Sequence, residues 1–492
     1  MNAPAHDAEL QALAREDAFS LPIEQIDVSK PRLFQEDTVG HYFARLRRDD
    51  PVHFNDNQFY GRFWSVTKWK DIMAVDTNHA VYSSDYTQGG IALWNAPDVK
   101  QRLHMFIAMD PPRHDEQRKA VSPIVAPHNL ASMEATIRAR TAKVLDELPR
   151  NEEFNWVQRV SIELTTQMLA TLFDFPFEDR QLLTWWSDVS TSVPEVDHIV
   201  ESQEARMVEL GKMHAYFTRL WNERVNAPPK NDLVSMLAHN PATRDMGPLE
   251  YMGNLVLLIV GGNDTTRNSM TGGVLAMNRY PSEWAKLRAN PSLVDSTVSE
   301  IIRWQTPLPM MRRTALQDAE LGGKKILKGD KVVMWYLSGN RDEEMIDDAD
   351  AFIIDRPRPR QHLSFGFGIH RCVGNRLAEL QLKILWEEIL KRFPAIEVVG
   401  PPKRLMSNFV RGICELPVRI GIEAMIETAL GLAHVEQIAA VFGNQAVNQQ
   451  NLRAQFHQPT RQVRSDKAQR ARDQHTPIFE LCLKCHHALL FD

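Results

Sequence analysis

The chain contains little cysteine for its size, with four residues, at positions 372, 414, 482 and 485, among 492. A disulfide framework needs more cysteines than this, at closer and more regular spacing. The class of small secreted proteins held together by disulfides is therefore excluded. Because free thiols persist in reducing compartments, the cysteine usage favours a cytoplasmic protein.

An excess of basic charge is also lacking. The 57 Lys and Arg residues are outnumbered by 63 Asp and Glu residues, and the formal net charge is −6. Nucleic-acid-binding proteins carry an overall basic balance or a concentrated basic patch. We therefore expect no nucleic-acid partner, and any site for an anion has to be local.

The sequence has no long apolar run. Its longest strongly apolar stretch, 255–260 (LVLLIV), is far shorter than the roughly 20 residues that a membrane-spanning helix needs. The first 19 residues are polar and acidic, without the apolar centre of a signal peptide. We expect a cytoplasmic protein without a membrane anchor.

Helical periodicity dominates what is present. Apolar residues recur at three- and four-residue spacing over 38–48, 130–148, 161–173, 200–225, 249–277, 281–289, 293–304 and 376–393. Shorter segments rich in β-branched and aromatic residues, which are typical of strands, cover 63–67, 331–336 and 417–422. Long helices with a few short strands predict a mainly α (α+β) fold.

The composition changes near residue 422, which predicts a boundary between a folded domain, 1–422, and a C-terminal tail, 423–492. Residues 423–442 could form one more amphipathic helix. The stretch 443–475 is polar and holds eight glutamines, so it cannot bury enough apolar surface to offset its ordering entropy. We expect the tail to be disordered, and a shifted reading frame is one explanation for it.

A second feature of the tail is a cysteine pair, Cys482 and Cys485. Residues 482–486 (CLKCH) match the pattern that attaches c-type haem, and with His487 they could also bind zinc. Covalent haem attachment normally requires export, for which the sequence has no signal, and no folded domain precedes the motif. We expect this segment to carry no function.

The most informative segment is 365–374 (FGFGIHRCVG), which a helical pattern follows. A cysteine just before a helix lies where backbone N–H groups and the helix dipole stabilise a thiolate. Glycines let the backbone pass close to a flat ligand, and a thiolate is the strong donor that favours O–O bond cleavage on a haem iron. A buried structural cysteine in a glycine-rich turn is the alternative.

This ten-residue pattern resembles the haem-binding signature of the cytochrome P450 family. Further motifs of the family occur in the expected order, so the resemblance extends from about Pro31 to Ile420. It implies the P450 fold, with long helices and small β-sheets around a buried haem b (iron protoporphyrin IX), and Cys372 as the ligand of the iron. Within the loop it implies haem contacts from Phe365, Gly366 and Gly374.

Four basic residues match positions that bind the haem propionates in the family. The segment 110–118 (DPPRHDEQR) looks like the C-helix motif, in which His114 and Arg118 lie four apart on one helical face. Arg313, in an Arg-Thr-Ala sequence, and His370 match two further positions. The resemblance therefore implies that all four side chains face the propionates.

Glu300 and Arg303 are similar to the Glu-x-x-Arg pair of the family. Residues three apart are neighbours on a helix, so an ion pair between them is geometrically easy. In the family a second arginine completes the network. Arg356 is the candidate, with Arg358 and Arg360 as alternatives, and the implied role of the network is structural.

The hexad 261–266 (GGNDTT) lies within a long apolar helical pattern. Asp and Thr inside a helix usually face solvent or bond back to the preceding turn. The hexad, however, resembles the distal-helix motif of oxygen-activating P450 enzymes. It implies that Thr265 holds water or oxygen beside the iron by a hydrogen bond and that Asp264 relays protons from solvent, a chemistry that needs positioned donors and little bulk water.

Residues 261–273 (GGNDTTRNSMTGG) and 359–382 (PRQHLSFGFGIHRCVGNRLAELQL) look most like the soluble bacterial terminal alkane and fatty-acid hydroxylases of this family. The resemblance implies oxidation of apolar linear molecules at the end carbon with O2. Apolar residues that flank the motifs and could line the substrate pocket are Leu255, Leu258, Ile259, Leu308 and Met310. A monooxygenase for terpenoid-like or other bulky apolar substrates and a non-catalytic haem sensor or carrier remain as alternatives.

The source of electrons has to be another protein, because the chain contains no flavin, nicotinamide or iron–sulfur pattern. Between Arg356 and Arg376 it carries five arginines and no Asp or Glu, around the loop with Cys372. Such a run favours docking of an acidic ferredoxin by electrostatic steering. We expect a ferredoxin and an NADH-linked ferredoxin reductase as partners.

Overall fold

The computed structural model describes residues 3–94 and 98–421. Its α-helices are α1 (Ala3–Ser20), α2 (Pro31–Gln35), α3 (Val39–Asp49), α4 (Trp69–Asp76), α5 (Arg113–Val121), α6 (Pro127–Asp146), α7 (Glu163–Phe173), α8 (Gln181–Thr191), α9 (Pro194–Asp197), α10 (Gln203–Val225), α11 (Leu233–His239), α12 (Pro248–Arg279), α13 (Pro281–Ala289), α14 (Val294–Gln305), α15 (Tyr336–Gly339) and α16 (Asn375–Arg392). Its strands are β1 (Val52–Asn57), β2 (Gly61–Val66), β3 (Tyr82–Ser83), β4 (Glu153–Asn155), β5 (Met311–Ala315), β6 (Ala319–Leu321), β7 (Lys324–Ile326), β8 (Lys331–Met334), β9 (Glu397–Val398), β10 (Lys403–Arg404), β11 (Ile413–Glu415) and β12 (Pro417–Arg419). The predicted mainly α (α+β) class is confirmed.

The strands form small sheets at the margin of the helices. The five-stranded sheet has the order β1-β2-β8-β5-β3, in which β2 and β8 are parallel, with Trp64 opposite Val332, and the other neighbours are antiparallel. A three-stranded sheet has the order β4-β12-β9, and β6-β7 and β10-β11 are hairpins. β5 ends close to the site described below, so the larger sheet supports one side of it.

Helix α12 is the central element of the described fold. At 1.5 Å per residue its 32 residues extend for about 48 Å. Pro248 occupies the first helical position, where its missing N–H costs nothing. The helix is apolar on several faces and packs against α7, α8, α14 and α16, as expected of a helix buried in a large core. No helix within 3–94 and 98–421 is both long and apolar enough to cross a membrane.

Most predicted helices lie within a few residues of the observed ones, and the differences have local causes. The segment predicted at 200–225 begins at Gln203, because the Ser202 hydroxyl accepts a hydrogen bond from the Ala205 N–H and caps the helix. The strand predicted at 331–336 ends at Met334, where the chain turns into α15. The helical periodicity did not predict α1, α2, α4, α8, α9, α11 and α15. The possible helix at 423–442, the polar tail and the cysteine motif at 482–486 lie outside the described residues.

Candidate active site

A cavity of about 1110 Å³ lies beside α12, and α5, β5 and the loop before α16 also contribute to its wall. Most of its lining side chains are apolar. Six polar or sulfur-containing side chains predicted from the sequence to act together line it, namely His114, Arg118, Thr265, Arg313, His370 and Cys372, whereas Asp264 does not. Residues that are up to 258 positions apart in the chain are thus brought to one concave site, the kind of place where ligands bind.

The loop that carries Cys372 is held in a fixed shape by its backbone. The Cys372 N–H donates to the Phe365 carbonyl at 2.8 Å, and Gly366 and Gly368 adopt positive φ angles of 63° and 64°. At Gly368 a Cβ atom would lie 2.5 Å from the Asp76 carbonyl oxygen. Glycine is required there both for the left-handed conformation and for the close approach of the backbone.

The Cys372 side chain faces the cavity, just before the N-terminus of α16. Burial raises the pKa of its thiol above the usual range, while hydrogen bonds from the backbone of Gly374 and Asn375 and the charges of Arg118 and Arg371 act in the opposite direction. The stabilising groups are those that a thiolate needs. A cation in the cavity, such as an iron, would add to them.

Asp76, at the end of α4, is a site residue that the sequence analysis missed. One of its oxygens accepts from the Arg313 guanidinium at 2.9 Å, and the other accepts from the Phe367 N–H at 2.8 Å and the Tyr336 hydroxyl at 2.9 Å. This carboxylate therefore ties Arg313 to the Cys372 loop. Its partners are more than 230 residues away along the chain, so no local pattern marks it.

His114 and His370 meet edge to face, with ring centroids 4.4 Å apart. Both are buried, and burial lowers the pKa of each imidazole. His114 Nδ1 contacts Asp115 at 2.7 Å. His114 Nε2 and both ring nitrogens of His370 have no hydrogen-bond partner among the described residues. Buried polar nitrogens are normally satisfied, so these atoms mark a place for a polar ligand. An anionic group there would favour protonated imidazoles, in which both ring nitrogens donate.

Thr265 and Asp264 occupy different sides of α12. Thr265 lines the cavity, and its hydroxyl donates to the Gly261 carbonyl at 3.0 Å. This bond to the preceding turn has to be given up before the hydroxyl can donate to a ligand. Thr266 also lines the cavity and is buried, whereas Asp264 lies behind the wall, fully buried.

The Asp264 carboxylate belongs to a chain of charges that leads outward. Asp264 Oδ1 accepts from Arg267 at 2.9 Å and from Ser187 at 3.1 Å, and Arg267 also contacts Asp188 at 2.8 Å. The Asp188 side chain is 32% exposed. Burial raises the pKa of Asp264, and the nearby Arg267 opposes the rise. Arg267 and Asp188 were not predicted from the sequence, although the i, i+3 spacing from Asp264 to Arg267 was available as a signal.

Glu300 and Arg303, on α14, form a bidentate ion pair with both distances at 2.7 Å, and each side chain is 1% exposed. Arg356, not Arg358 or Arg360, completes the group, with its Nε atom 3.1 Å from both Glu300 oxygens. Arg303 further donates to the backbone carbonyls of Asn340, Ala349 and Ala351. The network fastens α14 to the chain segments 340–356, which lead into the Cys372 loop.

The predicted substrate residues divide into two groups. Leu258, Leu308 and Met310 line the cavity. Leu255 and Ile259 do not; each is 0% exposed and belongs to the core around α7 and α10. The structure does not bring these two residues to the cavity wall, because they project roughly 60–100° round α12 from Leu258.

A family model described as Cytochrome P450 matches residues 38–418. The chain belongs to the cytochrome P450 family. Among solved structures, cytochrome P450-153 from Novosphingobium aromaticivorans is 46% identical with a TM-score of 0.76, and the match covers 80% of this chain and 99% of that one. CYP153D17 from Sphingomonas sp. PAMC 26605 is 47% identical with a TM-score of 0.76, covering 81% and 100%. Linalool 8-monooxygenase of Pseudomonas putida is 35% identical over 405 residues, which are 80% of this chain and 99% of that protein.

The family and fold predicted from the sequence are thereby confirmed, and with them a haem-thiolate monooxygenase that uses haem b. The residues around the cavity of this P450 fit that cofactor. Cys372 would ligate the iron, and the unsatisfied nitrogens of His114 and His370, with Arg118 and Arg313, would receive the propionates. When bound, haem b supplies the iron on which O2 is activated for insertion of one oxygen atom into a C–H bond.

The surface of the P450 around the Cys372 loop carries most of the arginine run seen in the sequence. Arg358, Arg360, Arg371 and Arg376 are exposed. Arg356 is not available to a partner, because it donates to Glu300 and to the carbonyls of residues 347, 348 and 351. Arg360 is 3.2 Å from Glu379. The remaining positive charge, on Arg358, Arg371 and Arg376, lies around the loop that carries Cys372.

Proposed function

We propose that this P450 hydroxylates linear alkanes or fatty acids at the terminal carbon in the cytoplasm, with electrons from a ferredoxin and an NADH-linked ferredoxin reductase. The resemblance of residues 261–273 and 359–382 to terminal hydroxylases supports this assignment most directly. The apolar lining of the cavity agrees with an apolar chain as substrate. The exposed arginines around the Cys372 loop suit an acidic electron carrier.

Selectivity for the terminal carbon has to come from the way in which the enzyme positions the substrate. The end methyl of an alkane has stronger C–H bonds than the internal methylenes, so an oxidant with free choice attacks inside the chain. Leu258, Leu308 and Met310 line the same cavity as Thr265 and would limit the approach of all but the end methyl. Errors of about 1 Å in placement can cost on the order of 10²-fold in rate, which is enough to outweigh the difference in bond strength.

A terpenoid-like substrate is the second candidate. It is favoured by the 35% identity to a linalool 8-monooxygenase over 99% of that protein. Titration of the haem spectrum with linear alkanes and with branched or cyclic terpenoids, followed by product analysis, separates the two. Formation of any hydroxylated product also eliminates a haem sensor or carrier.

Octane-sized alkanes are expected to give 1-alkanols as the major products, measured by gas chromatography with a surrogate ferredoxin system. Cutting Leu308 or Met310 to Ala widens the cavity beside the site and should raise the 2-alkanol fraction, by a factor on the order of ten if placement shifts by a fraction of an ångström.

Leu287→Ala is the control for this series, since Leu287 is fully buried in the core and does not line the cavity. It should lower stability by about 2–5 kcal/mol without changing the product ratio. Mainly internal alcohols from the unmodified enzyme, or no turnover of linear chains, would refute the substrate proposal and leave the haem-thiolate reading intact.

Thr265→Ala is expected to keep substrate binding and NADH consumption but to divert electrons to hydrogen peroxide, because the hydroxyl that positions a proton donor is lost. Product per NADH should fall, with product formation reduced on the order of 10²-fold, while peroxide rises in proportion. Thr265→Ser keeps a hydroxyl and should restore coupling.

Thr271→Ala serves as the control, since Thr271 lies on the same helix and makes the same type of bond, to the Arg267 carbonyl at 3.1 Å, but does not line the cavity. Unchanged coupling in Thr265→Ala, or equal uncoupling in Thr271→Ala, would remove Thr265 from the proposed proton delivery.

A further inference from the structure

Residues 103–109 form one wall of the cavity. They contain no strand and no long helix. The wall residues are Leu103, Met105, Phe106, Ile107 and Ala108. Their only regular element is a single 3-10 turn, Phe106–Ala108. A segment with so few internal hydrogen bonds has to be held from outside if it is to position a substrate.

Asn254 of α12 holds this segment by its side-chain amide. Its Oδ1 accepts from the Phe106 N–H at 3.0 Å, and its Nδ2 donates to Gln117 Oε1 on α5 at 3.0 Å. The side chain is 0% exposed. Only the carbonyl oxygen of the amide can accept from an N–H, so the two bonds fix its orientation. Loss of this acceptor would leave a buried backbone N–H unsatisfied, which is costly.

The neighbouring residue, Gly253, brings the helix backbone against the same segment. A Cβ atom at this position would lie 2.3 Å from the His104 carbonyl oxygen and 2.7 Å from its carbonyl carbon. Both are backbone atoms, which cannot yield as the end of a flexible side chain can. Gly253 and Asn254 thus form a joint between α12 and residues 103–109. Gly253 allows the two backbones to approach closely, and Asn254 holds them together by its hydrogen bond to Phe106.

A second set of bonds extends this joint to α5, which carries His114 and Arg118. Glu250, one turn before Asn254 on α12, accepts from Gln117 Nε2 and from Arg113 at 2.8 Å. The loop, α5 and α12 are therefore connected through one group of side chains at the cavity wall. Displacement of any of the three changes where a substrate lies relative to the cofactor site.

We propose that Asn254 is a positioning residue that determines the regioselectivity of hydroxylation by fixing residues 103–109 against α12. It does not line the cavity and acts through the segment that does. The inference rests on the proposed function only in that linear alcohols are the products used to detect it. Loosening the wall allows the chain to lie deeper or at an angle, so that internal methylenes reach the reacting position.

The test is Asn254→Leu, which keeps the branching at Cγ and removes the side-chain hydrogen bonds to Phe106, Gln117 and Met246. The ratio of 2-octanol to 1-octanol is expected to rise on the order of tenfold. In the haem-loaded protein, hydrogen exchange of the segment 103–109, measured by mass spectrometry, should also become faster. Gly253→Ala, whose Cβ would displace the same segment by contact with His104, is expected to change the same ratio.

Asn278→Leu provides a matched control. Asn278 lies on the same helix, and its Oδ1 accepts from the Val398 N–H at 2.9 Å while its Nδ2 donates to the Ile396 carbonyl at 2.9 Å. It therefore fixes a backbone segment in the same manner but does not line the cavity. Its substitution should reduce stability to a similar extent and leave the product ratio and the exchange of 103–109 unchanged.

An unchanged product ratio in Asn254→Leu, or an equal change in Asn278→Leu, would overturn the proposal. If Asn254→Leu fails to fold, Asn254→Ala, which also removes the acceptor for the Phe106 N–H, takes its place. Failure of the substrate assignment is recognised separately, because it shows in the unmodified enzyme. In that case the same variants are compared through the product ratio of whichever substrate that enzyme accepts and through the exchange of 103–109.

Discussion

Replacement of Cys372 by histidine is expected to abolish the long-wavelength Soret band that the reduced, carbon monoxide-bound protein gives with a thiolate ligand. An imidazole is a weaker electron donor than a thiolate and does not favour O–O cleavage in the same way. Turnover should therefore fall to background even if haem is retained. A carbon monoxide difference spectrum and a product assay on the same preparation measure both effects.

Cys414→His is the control, because Cys414 is the other free thiol among the described residues and lies on β11, outside the cavity. This variant should keep both the band and the activity. If Cys372→His retained the band, Cys372 would not be the ligand of the iron.

Glu300→Gln is expected to destabilise the enzyme by about 3–5 kcal/mol, since the substitution leaves the buried charges of Arg303 and Arg356 without their carboxylate. Chemical denaturation and the haem content of the purified protein measure the effect. Haem retention should fall together with stability, because the network fastens α14 to the segments that lead into the Cys372 loop. The haem that remains should keep its thiolate spectrum, since none of these residues touches Cys372.

Glu36→Gln tests whether the loss of any ion pair would do the same. Glu36 pairs with Arg32 at the surface, and the Arg32 side chain is 79% exposed. Because solvent screens such a pair, the free energy of unfolding should hardly change. Equal losses in the two variants, or full haem content in Glu300→Gln, would contradict a structural role for the buried network.

The parts of the site that the sequence predicted are those carried by contiguous residues. The glycines around Cys372, the i, i+4 spacing of His114 and Arg118 and the i, i+3 spacing of Glu300 and Arg303 are all visible within one or two turns of chain. The structure places the Cys372 loop at the start of α16 and the two pairs on helices α5 and α14. These contiguous motifs carried the resemblance to the family, and the resemblance supplied the roles that the spacing alone could not.

Two kinds of information were not accessible in this way. Asp76 contacts Arg313 and Phe367 only because a helix end and a distant loop meet in space, and nothing in the sequence around position 76 indicates that meeting. Leu255 and Ile259 were assigned to the pocket because a helix that is apolar on several faces does not reveal which face borders a cavity. The three-dimensional packing of α12 settles that question, and periodicity cannot.

The pairing of β2 with β8 has a consequence for how the chain is synthesised. Ser65 receives a hydrogen bond from Trp335, 270 residues later, and the parallel ladder between the two strands includes Trp64 and Val332. A ribosome that adds about 5–20 residues per second needs roughly a quarter of a minute to a minute to make that interval. Throughout this time the β1-β2 hairpin has emerged but offers an unpaired strand edge, the kind of surface that other nascent chains or chaperones bind. Strand β2 therefore stays without its parallel partner until about 270 further residues have been made.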